Sequence, residues 1–168
     1  MTKWRNPMTA TTQINGLSGR YQELFDDVIA TVGGVTDEQW STVTGEEQWS
    51  LGVVTHHLAV TQGVFVSFLE TITSGTGELP SPTMDQIHAG NAQHAHDFAN
   101  VTKAETLELL NTNTPKAIEL INTLRDDQLE TYAATFAGYE MNVGGVVEMI
   151  GIGHPTGHFE SIKATLGN

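Results

Sequence analysis

The chain has 168 residues, 39% hydrophobic and 16% charged, which suits one folded domain with a core of its own and argues against a disordered chain. Twenty acidic residues against seven basic ones leave a formal charge of −13, and with no basic cluster this field disfavours nucleic acid and anionic membranes as partners. The absence of cysteine excludes disulfides, thiolate metal ligands and a cysteine nucleophile, and it fits a cytoplasmic setting.

Residues 1 to about 14 read as a flexible leader, with Met8 an alternative start and no apolar segment of the kind a secretory signal needs. No apolar run approaches the length of a membrane span. The first helix carries Tyr21, Leu24, Phe25, Val28, Ile29 and Val32 at helical spacing and ends at Gly33-Gly34. The second starts near Ser50 and carries Val54, Leu58, Thr61, Phe65, Phe68 and Ile72. A loop dense in Gly, Pro, Ser and Thr follows over residues 74–82.

The third helix begins near Thr83 and is expected to turn Met84, Ile87, His88, Asn91, Ala95 and Phe98 towards the core. It either runs on with a kink into the segment bearing Leu107, Leu110, Ala117, Ile121 and Leu124, or restarts at Thr102, where Glu105 completes a capping box. The fourth spans about Asn142 to Leu166, and no stretch reads as a strand. Asp37-Glu38-Gln39 and Asp126-Asp127-Gln128 echo each other, each an acidic helix start ahead of a histidine-bearing helix. Residues 15–168 are therefore expected to form a single all-α domain, a four-helix bundle.

The seven histidines lie at 56, 57, 88, 94, 96, 154 and 158. His154 and His158, four apart, project from one face of the fourth helix, the face that also carries Val147, Ile150 and Ser161. His57 falls on the apolar stripe of the second helix, with His56 about 100° round towards a boundary. Three imidazoles on inner faces are costly to bury without partners, and one shared divalent metal satisfies them together. Imidazole ligands suit zinc or nickel first, with iron, manganese or copper as alternatives. His94 and His96 are expected to face solvent or a partner, whereas Thr61, His88 and Asn91 are candidates for the wall of a cavity.

Two familiar motifs are excluded. Pro155 stands where a zinc protease carries its glutamate base. No Glu-x-x-His pair of the di-iron bundles occurs anywhere in the chain. Pro155 itself, with Gly151, Gly153 and Gly157 around it, predicts either a kink between the two histidines or a helix that starts later.

The run Trp49-Ser50-Leu51-Gly52-Val53-Val54-Thr55-His56-His57-Leu58-Ala59 and the later Gly153-His154-Pro155-Thr156-Gly157-His158-Phe159-Glu160-Ser161-Ile162 resemble the DinB-like superfamily of metalloenzymes. The resemblance covers roughly residues 15 to 166. It implies a four-helix bundle, often a homodimer, and a metal site of His57, His154 and His158. Some members are transferases or isomerases dependent on bacillithiol, mycothiol or related small thiols; many have no known reaction. The doubled His56-His57 and Pro155 depart from the family's pattern. The expected function is a metal-dependent enzyme acting on a small molecule, a thiol-dependent transferase or isomerase with a low-molecular-weight thiol as co-substrate. A non-catalytic metal-binding or small-molecule-binding protein of the same fold is the alternative, and hydrolysis is disfavoured because no carboxylate is clearly placed as its base.

Overall fold

The computed structural model describes residues 10–167. Helix α1 runs Ala10–Gly33, so the boundary drawn near residue 14 falls inside a helix whose Ile14 is already buried in the core. Residues 1–9, including Met8, lie outside the described residues. A single turn, α2 (Asp37–Trp40), is capped by Thr36 and Gln39. Helix α3 (Leu51–Ser74) starts where Ser50 accepts a hydrogen bond from the Val53 N–H and stops at Gly75 in the left-handed conformation.

Helices α4 (Met84–Asp97) and α5 (Lys103–Thr123) are separate, and the restart is the Thr102/Glu105 capping box. A second single turn, α6 (Asp126–Leu129), leads to a short antiparallel hairpin, β1 (Tyr132–Phe136) and β2 (Tyr139–Asn142). The final segment is one continuous helical rod in three parts: α7 (Val143–Gly145), a π-helical stretch Val146–Gly153, and α8 (His154–Leu166).

The bundle is α1, α3, α5 and the terminal rod. α3 packs chiefly on α5, α5 on α1, α8 on α3, and the π stretch on α1. Tyr21, Phe25 and Phe65 form its aromatic centre, with ring centroids 4.7 Å and 5.6 Å from Tyr21. Two glycines permit close approach. A Cβ on Gly52 would sit 2.5 Å from the Trp40 indole nitrogen, whose N–H donates to the Val101 carbonyl, and a Cβ on Gly151 would sit 2.5 Å from the Phe65 ring.

Three expectations need correction. The fourth long helix of the sequence pattern is not all α: the chain passes Pro155 through a wider π turn, in which the His154 N–H reaches the Met149 carbonyl. The proline ring would crowd the carbonyl of residue 151 in a tight turn, and the π register relieves this without ending the helix. The hairpin was not anticipated; its two-residue turn, Ala137-Gly138, has positive φ at both positions, the geometry that matches strand twist. Finally, α4 contributes no buried residue and lies outside the bundle, so α5 is the third core helix.

Helix α3 is also more apolar than the sequence reading allowed. By length and composition it is able to cross a membrane, with mean hydropathy 1.3 over its most apolar window, but 72% of that window is buried within the bundle. Its buried Thr55, His56, His57 and Gln62 mark it as a core helix carrying functional groups.

Candidate metal centre

His57 is the seventh residue of α3, on the face that carries Val54 and Thr61, and is buried. Beyond the π stretch, His154 opens α8 and His158 follows one turn later. The bundle brings these three rings together. His57 Nε2 lies 3.4 Å from His154 Nε2, and His154 Nε2 lies 3.2 Å from His158 Nε2. One ligand atom from each residue falls within 4.8 Å of the others. Three nitrogens at 2.0–2.1 Å from one tetrahedral ion stand about 3.3 Å apart, so the observed spacing fits a shared divalent cation.

Tautomer geometry points the same way. The Glu47 carboxylate lies 2.7 Å from His158 Nδ1 and 2.6 Å from the Ser161 hydroxyl, which donates to it. With Nδ1–H donating to a carboxylate, the neutral ring presents an unprotonated Nε2 to its neighbours, the form a metal ligand requires. The loop that delivers Glu47 is closed by a bridge between Val43 and Ser50 and by the Thr44 N–H donating to the Trp49 carbonyl at 2.8 Å. Trp49 then packs edge-on against His57, with ring centroids 5.7 Å apart.

The family model of the DinB superfamily matches residues 20–162. The chain belongs to the DinB superfamily. No curated protein matches it. The matched span contains all three histidines, Glu47 and Trp49.

Burial sets the charge state of this DinB site. Desolvation, then the neighbouring His154, His158 and His94, pushes His57 down to about 3. His154, although exposed as a whole residue, is pushed down to about 4, first by desolvation of its ring and then by His158. Both rings are therefore neutral at pH 7, ready to donate lone pairs. Burial alone would raise the Glu47 carboxyl, but hydrogen bonds from Ser161, His158 and Thr44 outweigh it and hold the group below its ordinary range, as an anion.

The remaining candidates divide. Thr61 and Asn91 line a cavity that His57 and His154 also line. His88 is exposed and does not line that cavity. His96 is exposed, as expected of it. His94 is not a free surface residue: it is half-buried, with Nε2 3.4 Å from His56 Nδ1 and its ring 5.3 Å from that of His57. His56 is not at a boundary either, because Phe98 and His94 cover it and leave it 4% exposed.

Glu47 is the residue that sequence reasoning missed. It lies in a loop between α2 and α3, with no periodicity to reveal its direction. The one available signal was its place two residues before the Trp49-Ser50 element.

Proposed function

We propose that His57, His154 and His158 hold one divalent metal ion, zinc or nickel first among the candidates. We further propose that the protein is an enzyme that transfers a low-molecular-weight thiol to an electrophile or uses that thiol to isomerise a small molecule. The observation that carries the reading is the convergence of three Nε2 atoms, two of them on His57 and His154, which line a cavity of about 410 Å³. A cavity of this size suits a small molecule.

A divalent ion held by His57, His154 and His158 would supply Lewis acidity and lower the pKa of a bound thiol or water. The rest falls to the chain. His57 and His154 present neutral nitrogens, Glu47 fixes the ring of His158, and the bundle keeps the cluster on rigid helices. The chain has no cysteine, so the nucleophilic sulfur comes from a co-substrate, and no protein thiol competes for the metal or the electrophile. In the transfer, the sulfur lone pair forms the new S–C bond, the leaving group departs with the pair of the broken bond, and the thiol proton passes to solvent. No oxidant or reductant is consumed.

A hydrolytic reading has less support, because Glu47 is held by His158 and Ser161 and does not line the cavity. The test is a panel of small thiols and electrophiles with metal-loaded protein, against a His158→Ala control. Thiol-dependent turnover lost in the control supports the proposal. Equal rates with and without the site, for every pair, would leave a binding protein in place of an enzyme.

A further inference from the structure

The cavity beside the histidines is chemically one-sided. Val64 and Phe68 of α3, Ile150 of the π stretch, Ile87 of α4 and Phe136 and Met141 of the hairpin line it. Two of these walls, α4 and the hairpin, lie outside the bundle. The hairpin tip is tied to the loop before α4 by the Ala137 N–H donating to the Pro82 carbonyl at 3.0 Å. Among the described residues that line the cavity there is no Asp, Glu, Lys or Arg, in a chain that carries twenty acids and seven bases.

Its polar groups are few and mostly committed. The Thr61 hydroxyl donates to the carbonyls of His57 and Leu58 at 2.8 Å and 3.1 Å. The Gln86 side-chain oxygen accepts from the Thr83 N–H at 2.9 Å in the cap of α4. Asn91 has no side-chain hydrogen bond among the described residues, and it lines the cavity. A charged molecule entering this space gives up part of its hydration and meets no charged Asp, Glu, Lys or Arg side chain on its wall. The net charge of −13 adds repulsion for an anion on approach.

We infer that the cavity takes a small, uncharged, mainly apolar molecule, with one neutral hydrogen-bonding group at Asn91 and its reacting end towards His57 and His154. This builds on the enzyme reading above and narrows it: the electrophile is neutral, and a thiol that carries carboxylates meets no cationic Lys or Arg side chain among the residues that line this space.

Three probes of similar size decide the matter: 4-phenyl-1-butanol, 4-phenylbutyrate and 4-phenylbutylammonium, titrated calorimetrically into the full chain. A chelator is present, so that the carboxylate cannot gain affinity by ligating a metal. The alcohol should bind at least about tenfold more tightly than either ion, the penalty expected for an unpaired charge. Ile87→Lys adds a cation to a wall helix that has no buried residue, so folding is spared. It should shift the preference between butyrate and alcohol towards butyrate by at least about tenfold.

Butyrate or ammonium binding as tightly as the alcohol in the unaltered protein would overturn the inference. So would the absence of binding by all three probes at millimolar concentration. Zinc uptake by the same protein after removal of the chelator separates the two readings. Uptake of one zinc without probe binding removes the cavity assignment alone. Probe binding in the expected order without zinc uptake removes the metal reading alone.

Discussion

The Glu47 carboxylate, 8% exposed, accepts a hydrogen bond from His158 Nδ1 at 2.7 Å, from a loop 111 residues away in sequence. Ser161, one turn further along α8, donates to the other carboxylate oxygen at 2.6 Å. The pair fixes both the tautomer and the aim of His158.

Glu47→Ala should therefore weaken metal affinity by about 10–100-fold, the usual effect of removing a carboxylate that orients a metal-binding histidine. Glu47→Gln, which keeps an acceptor for Nδ1–H, should lose less. Calorimetric titration of zinc, with far-UV circular dichroism to confirm that the fold is unchanged, measures this. Unaltered affinity in Glu47→Ala would show that the contact is structural only.

The adjacent histidines of α3 should separate cleanly. His57→Ala should abolish stoichiometric metal binding, whereas His56→Ala should retain it. The His56 ring is nonetheless buried against His94 and Phe98, so its removal should cost about 1–3 kcal/mol of stability. Urea denaturation of both variants beside metal titration distinguishes the two roles.

The metal-free protein should remain helical, melt cooperatively and show a definite pH dependence. The folded state holds His57 near 3 and His154 near 4, against an ordinary value of 6.5. Between those limits the unfolded chain binds more protons, so stability rises with pH. This contribution is fully present above about pH 7 and is lost as pH falls through about 6.5 towards 3. Thermal melts from pH 4 to pH 8 should show falling Tm at the acid end, and His57→Ala should flatten the curve. A wild-type Tm independent of pH over this range would contradict the burial argument.

Gly151 faces the Phe65 ring so closely that a methyl group must displace it. Gly151→Ala should destabilise the fold by about 1–3 kcal/mol through overpacking. Because the same turn aims His154, it should also weaken metal binding. Gly157, whose Cβ would meet open space, is the control, and Gly157→Ala should be neutral or mildly stabilising.

What was legible follows from local physics. Val54, Leu58 and Phe65 repeat at helical spacing and are buried, Ser50 caps α3, and Thr102 with Glu105 starts α5. His57, His154 and His158 could be picked out because inward helical faces can be read from period. The remainder depended on tertiary packing. The stripe of Met84, Ile87 and Phe98 looks like a core face, but Met84 is exposed, Ile87 lines the cavity and Phe98 packs on His56 and His94. The hairpin escaped notice because its turn is Ala-Gly, without the asparagine or aspartate that favours the left-handed first position. Glu47 lies in a loop, where no periodicity exists.

Three histidines from two helices are proposed to hold one ion. Elemental analysis of protein purified without a chelator or a nickel column, compared with the same preparation of His154→Ala, tests it most directly. One divalent metal per chain is expected in the unaltered protein and none in a His154→Ala variant that keeps its helicity, whereas full metal content in His154→Ala would contradict the shared site.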